Sequence, residues 1–257
     1  MLSLISPAKS QDFSKNTPVE VTTDLMFKAK TAELVVKLKH YSPDEFESLM
    51  KISPKLAEGV FEMYLNFDVE HYTKDNAKQA LFAFSGDVYR GLEALSLNQD
   101  QIEYAQCHLL MLSGLYGLIR PLDLIQAYRL EMGIKFKIDD TLLYDFWRET
   151  LTHKLNEIIV RDGHKAIVNL ASDEYSKAIN KKAVKATWLE IDFKEYHKGK
   201  YQTIALFAKR ARGRMARYIL DHKADTIDAL KDFHYDGYML NPEFSRTESL
   251  CFTRIKP

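Results

Sequence analysis

Between Phe207 and Leu220 the chain reads FAKRARGRMARYIL. Five cations, Lys209, Arg210, Arg212, Arg214 and Arg217, fall within nine residues, and the next acid is Asp221. A run of this kind can hold phosphate groups by charge and by charge-assisted hydrogen bonds. On a helix each residue turns by about 100°. Ala208, Ala211, Met215 and Ile219 then share one apolar stripe. Arg210, Arg214 and Arg217 share the roughly opposite face, suited to long-range attraction of a polyanion. Arg212 projects about 60° from the centre of the apolar stripe, which predicts a partly packed guanidinium. Lys209 and Arg212 are therefore the candidates for a defined pocket. Gly213 in mid-helix costs about 1 kcal/mol against Ala, so it predicts close approach by another backbone or a ligand, or else a kink. A plain solvated helix face is the alternative for the whole run.

Two further groups of polar residues stand at the ends of apolar runs. Leu2 to Ser6 reads as a short buried strand stopped by Pro7. This places Ser6-Pro7-Ala8-Lys9 just past its C-terminal end, where open α/β sheets hold ligands. Lys9 is a candidate phosphate contact, or an ordinary surface lysine. Lys165 to Ala171 reads as a second buried strand, followed by Ser172-Asp173-Glu174-Tyr175. Asp173, Glu174 and Tyr175 are the catalytic candidates if the protein is an enzyme, an acid serving as general base while Lys or Arg holds phosphate. The same four residues also suit a helix N-cap. That enzymatic reading predicts that Lys9, Asp173 and Lys209 meet in space. Ala80 to Phe84 reads as a buried strand too, and leaves Asp87 and Arg90 near its end.

Asp100 to Leu112 has strong helical periodicity and runs into Ser113-Gly114-Leu115-Tyr116-Gly117-Leu118-Ile119-Arg120-Pro121. A glycine-rich turn between helical segments can present backbone N–H groups to a phosphate. This is the logic of helix-hairpin-helix elements, which grip nucleic-acid backbone without reading sequence. It makes Gly114, Tyr116, Gly117 and Arg120 candidate DNA contacts. The Gly-Leu-Tyr-Gly spacing is longer than the usual Gly-hydrophobic-Gly, and a purely structural turn explains it as well.

These sites need elements to position them. Helical patterns span Asp24 to His40, Pro43 to Ile52 (opened by Ser42 as a cap with acids in the first turn), Pro54 to Asn66 and Leu142 to Val160. Residues 11–22 read as a loop. Thr187 to Phe193 and Lys200 to Phe207 alternate around His197-Lys198-Gly199 as a hairpin, and Ser249 to Ile255 is the last strand. With no repeat and no linker, residues 1–257 read as a single compact α+β (mixed α/β) domain, a central mixed sheet with surrounding helices and a basic cleft.

Composition narrows the function classes. The 257 residues carry 36 Lys plus Arg against 36 Asp plus Glu, a net charge of zero. From Lys177 to Arg217, however, twelve cations face three acids, a local charge of +9 that creates a field even in a neutral chain. Two cysteines, Cys107 and Cys251, are too few for a disulfide framework. They suit a reducing cytoplasm, with Cys107 expected to be buried. No apolar run approaches a membrane span, and no nucleotide-loop, zinc or hydrolase motif is present. The eight histidines are dispersed. No metal or cofactor is expected.

Five blocks occur together and in order: LISPAK (4–9), FSGDVYRGL (84–92), MLSGLYGLIRPLDLIQAYRLEMG (111–133), NLASDEY (169–175) and FAKRARGRMARYI (207–219). In these blocks the chain resembles the YaaA peroxide stress proteins, long known only as a domain of unknown function. The likeness runs from residue 1 to about Phe252. It implies a cytosolic protein that protects against hydrogen peroxide by limiting unincorporated iron and so Fenton damage to DNA. It also implies a positively charged cleft, a helix-hairpin-helix-like element over Ser113 to Gly117 and sequence-nonspecific DNA binding through Lys209 to Arg217. It transfers no catalytic residue. The alternative is an enzyme acting on a phosphate-bearing substrate such as a nucleotide or damaged DNA.

Overall fold

The computed structural model describes residues 1–14 and 17–255. Lys15 and Asn16 of the expected 11–22 loop, and Lys256 and Pro257, lie outside the described residues. Eight strands form the central sheet: β1 (Leu2–Ile5), β2 (Leu109–Ser113), β3 (Gly117–Ile119), β4 (Ala166–Leu170), β5 (Thr187–His197), β6 (Lys200–Gln202), β7 (Met239–Leu240) and β8 (Ser249–Ile255). Their order is β7-β8-β5-β4-β1-β2-β3, with β6 paired to β5. The inner five, β8-β5-β4-β1-β2, are parallel, and the other three are added antiparallel. Parallel strands need cover on both faces, and every position of β1, β2 and β4 is buried.

The parallel strands taken in chain order lie as 2-1-3-4-5 in space, so the winding reverses between β1 and β4. In open sheets ligands bind outside the strand ends at such a reversal. Here the register brings the two ends level, with Ile5 opposite Leu170. The loops that begin at Ser6 and Ala171 therefore emerge side by side.

The main helices are α1 (Lys28–Leu38), α2 (Pro43–Met50), α3 (Pro54–Leu65), α4 (Asp87–Leu92), α5 (Gln99–His108), α6 (Leu143–Asp162) and α7 (Ala205–His222). Local signals set several boundaries. Ser42 and Glu45 form a reciprocal capping box at α2, as Asn98 and Gln101 do at α5. Three expectations change. Ala80–Ala83 is a single helical turn, with only Phe84–Ser85 extended. The helix expected from Asp100 to Leu112 ends at His108, and Leu109–Ser113 becomes β2, an inner strand paired with β1. The strand expected from Lys200 to Phe207 stops at Gln202, and α7 begins at Ala205.

The helix-hairpin-helix expected around Ser113 to Gly117 is instead a β-hairpin between β2 and β3. Its turn is buried throughout. The Trp147 indole of α6 donates to the Gly114 carbonyl at 2.8 Å, and a Cβ on Gly114 would lie 2.3 Å from the Leu130 carbonyl oxygen. Core packing accounts for this glycine-rich turn.

Helix α7 lies against β1, β4 and β5 and packs most extensively on α4. Gly213 and Gly91 allow that contact. A Cβ on Gly213 would sit 1.9 Å from the Val88 carbonyl oxygen, and one on Gly91 would sit 2.2 Å from the Arg210 carbonyl oxygen. The close approach anticipated at Gly213 is thus to the backbone of α4. Replacing Gly213 with Ala should force the helices apart and cost about 3 kcal/mol, lowering the melting temperature by roughly 10 °C. A G213A protein that melts within about 1 °C of the parent by circular dichroism would refute this account of the packing.

Candidate functional site: a cationic pocket at the sheet reversal

The loops after β1 and β4 are tied to each other at their first polar residues. The Ser172 amide donates to Ser6 Oγ at 2.9 Å, and the Ser6 hydroxyl lies 3.3 Å from Ser172 Oγ. From α4, the Tyr89 hydroxyl donates to the Ser6 carbonyl at 3.1 Å. These bonds give the strand ends a fixed floor. Above it opens a cavity of about 280 Å³ lined by Ser6, Pro7, Ala8, Lys9, Ser10, Ser85, Gly86, Asp87, Val88, Leu170, Ser172, Glu174, Tyr175, Lys209 and Arg212. Four segments distant in sequence build it: the β1 loop, the start of α4, the β4 loop and the first half of α7.

Its charges are unevenly compensated. Lys9 Nζ lies 2.8 Å from Glu131 Oε1, which also takes an Arg129 Nη2 contact at 3.2 Å. Asp87 is turned towards Arg90 at 3.4 Å. Glu174 Oε1 accepts from the Gly133 amide at 3.2 Å. Lys209 and Arg212, by contrast, have no ion pair among the described residues. The Arg212 Nε is buried without a hydrogen-bond partner. Burial pulls the Arg212 pKa below its usual value, opposed by the charges of Asp192, Asp173 and Glu190. Tyr175 is buried, and desolvation raises its hydroxyl pKa well above the ordinary value, with Tyr128 and Glu174 adding to the effect. The pocket is thus lined by two cations that have no ion pair among the described residues, by the hydroxyl-bearing Ser6, Ser172 and Tyr175, and by Glu174. These are the side-chain types that anion binding and acid–base chemistry require.

Of the residues singled out in the sequence, Lys9, Glu174, Tyr175, Lys209 and Arg212 meet here. Lys9 and Lys209 share the pocket, as the enzymatic reading requires, but Glu174 takes the place expected of Asp173, which does not line it. Arg210 is exposed beside a neighbouring hollow with Asp236 and Arg254. The remaining basic residues are structural. Arg214 pairs with Glu93 at 2.9 Å, and Arg217 with Asp221 at 2.6 Å and with the Ser96 hydroxyl at 2.5 Å. Both of these side chains are only 16% exposed, so the free outer face expected for them is largely neutralised. Arg120 holds Asp123 at 3.0 Å and the Asp24 carbonyl at 2.8 Å. Gly114, Tyr116 and Gly117 are in the core. The Tyr116 hydroxyl is used up by both backbone groups of Gln126.

Sequence reasoning missed the Glu131 carboxylate behind Lys9, while the strand-end position of Asp87 had pointed to the wall formed by Ser85 to Val88. Cys107, expected to be buried, is exposed. Among the described residues no group of three or more His, Cys, Asp or Glu is placed to hold a metal ion. No helix is long and apolar enough to cross a membrane.

The contrast between Arg212 and Arg217 is measurable. Arg212→Met removes a desolvated, unpartnered charge, so it should stabilise the fold by about 1 kcal/mol and raise the melting temperature by about 2–4 °C. Arg217→Ala breaks an ion pair and a hydroxyl bond and should lower the melting temperature by a similar amount. Equal losses in the two variants would mean that Arg212 is a structural cation.

Comparison with known proteins agrees with this chain-long pattern. The family model described as peroxide stress protein YaaA matches residues 1–244. A protein named UPF0246 protein from Francisella philomiragia subsp. philomiragia is 54% identical over 254 residues, covering 99% of this chain and 100% of the relative. Relatives of the same name from Francisella tularensis subsp. novicida and subsp. holarctica are each 53% identical over the same length and coverage. The residues of the pocket, its two loops and helix α7 all fall within the matched span, and the chain belongs to the peroxide stress protein YaaA family.

Proposed function

We propose that this member of the peroxide stress family acts in the cytoplasm by binding DNA without sequence preference. Lys209 and Arg210 would meet backbone phosphates at the surface, and Lys9 and Arg212 in the pocket behind would add to the attracting field. The observation that carries the reading is the pair Lys209 and Arg212, uncompensated cations on one side of a cavity at the sheet reversal. Protection would be expressed as less free iron available for Fenton chemistry at DNA; that link comes from the family. Such binding is driven largely by counterion release, so log K should fall linearly with log salt, with a slope of roughly −1.8 for the two surface cations. The double variant Lys209→Ala/Arg210→Ala should flatten the slope by about 2. Binding of a labelled duplex that is flat between low and moderate salt would refute the proposal.

A second reading is favoured by one feature: Glu174 and Tyr175 line the same cavity as the cations. On this reading the protein is an enzyme acting on a nucleotide or on damaged DNA, with Glu174 as general base and Lys209 and Arg212 on the phosphate. Product release from a nucleotide or lesion-bearing oligonucleotide should then drop by about 10²–10⁴-fold in Glu174→Gln with binding retained. Turnover that is unaffected by the substitution would remove Glu174 from the chemistry and this reading with it.

A further inference from the structure

The division between surface and pocket makes a more specific demand on the ligand. Arg210 and Lys209 are exposed, and any stretch of nucleic-acid backbone can reach them. Arg212 is different. It stands one helical turn further along α7, half-buried, in a cavity whose floor is Ser6 and Ser172. An internal phosphodiester carries a sugar on both sides and is held in the body of its strand. To bring its oxygens to Arg212 it would have to take both sugars into the cavity. A phosphate with one substituent can enter alone, phosphate first.

Charge points the same way. The acids in the lining have donors of their own, Asp87 in Arg90 and Glu174 in the Gly133 amide. Lys9 already shares Glu131 with Arg129. Two cations remain, Lys209 and Arg212, and a phosphate monoester carries about −1.5 to −2 at neutral pH, whereas a phosphodiester or a carboxylate carries one negative charge. The guanidinium is a planar fork that matches two oxygens of one phosphate, and Arg212 lines the cavity with Lys209.

We propose that the pocket at the β1/β4 reversal is a phosphomonoester site, with Arg212 and Lys209 gripping a terminal phosphate that is either that of a free mononucleotide or the end of a DNA strand. The inference rests on the phosphate-binding reading above, but it concerns the pocket rather than the surface.

The test compares five ligands on the full chain: deoxyadenosine monophosphate against deoxyadenosine, a 5′-phosphorylated duplex against the same duplex with 5′-hydroxyl ends, and covalently closed circular DNA. The monophosphate should bind at least tenfold more tightly than the nucleoside, and Arg212→Met and Lys209→Ala should each erase that difference while the melting curve stays cooperative. If the source is a DNA end, the phosphorylated duplex should bind at least fivefold more tightly than the hydroxyl form, and the monophosphate should compete for it. If the source is a free nucleotide, the two duplexes should bind alike and only the monophosphate preference should appear. Equal binding of monophosphate and nucleoside, together with equal binding of both duplexes, overturns the inference. Should the closed circle still bind in that case, DNA binding survives and only the pocket assignment falls. Monophosphate binding without binding to any DNA would instead keep the pocket and remove the DNA reading.

Discussion

The backbone contact between α4 and α7 fixes the geometry on which the pocket depends. Its two glycines sit beside the pocket's own residues. Gly213 follows Arg212 directly, and the carbonyl that excludes a side chain at Gly91 belongs to Arg210, between Lys209 and Arg212. On the other helix, the carbonyl opposite Gly213 belongs to Val88, which also lines the cavity next to Asp87. The cations are therefore placed by main chain held against main chain. Helices packed through glycine cannot slide by the width of a methyl group without losing contact, since packed interiors deform in discrete steps. A flexible lysine on a loop would leave its charge anywhere in a sphere of several ångströms. Here, Arg212 is delivered to one end of the sheet by a helix that also covers β1, β4 and β5.

Charge follows the same logic of placement. The +9 of residues 177–217 suggested a broad field, and the fold pairs three of those twelve cations with acids. Lys181 is paired with Glu190, Arg214 with Glu93 and Arg217 with Asp221. The Lys181–Glu190 pair is well exposed and contributes little stability, whereas Arg214 and Arg217 are mostly buried. Within α7 this sets them apart from Lys209, Arg210 and Arg212, which have no ion pair among the described residues. Arg212 is the costly member, because burial disfavours its charged form. A fold that keeps a half-buried cation with an idle Nε gives up stability at that point, and sites that bind or react are where such losses are tolerated.

Legibility from sequence followed the range of the forces involved. Signals carried by neighbouring residues were readable: the Ser42 capping box, the Pro43 and Pro54 helix starts, and the strand Ser249–Ile255, found at the expected residues. Strand-end reasoning placed Lys9, Glu174 and Tyr175, and the helical angle placed Arg212 half inside. Misreadings came where local pattern and tertiary demand differ. Leu109 to Leu112 continue the apolar periodicity of α5, and only pairing with β1 makes them a strand. Gly114 and Gly117 read as a phosphate turn, whereas the real constraint is the closeness of Leu130 and Trp147. Arg217 and Asp221 form an i,i+4 pair that helical spacing could have announced, but Arg214 looked free because Glu93 and Asp236 lie more than a hundred residues away or beyond the next helix. No spacing rule announces such partners.

Lys9 shows how the site is joined to the rest of the molecule. Its side chain is 63% exposed, yet it is anchored on Glu131, whose side chain is 10% exposed and whose Oε2 is buried with no hydrogen-bond partner. Glu131 thus sits between an arginine on the inner side and a lysine at the cavity. An anion in the cavity competes with Glu131 for Lys9, and every part of Lys9 drawn outward leaves the carboxylate more dependent on Arg129. Arg129 in turn has a buried Nε without a partner, so neither member of this inner pair has all its hydrogen-bonding capacity satisfied. Partly satisfied buried networks are sensitive to the placing of a single donor. The lysine after β1 is therefore both a wall of the pocket and one of two cations holding a buried carboxylate, and the occupancy of one place is physically tied to the other.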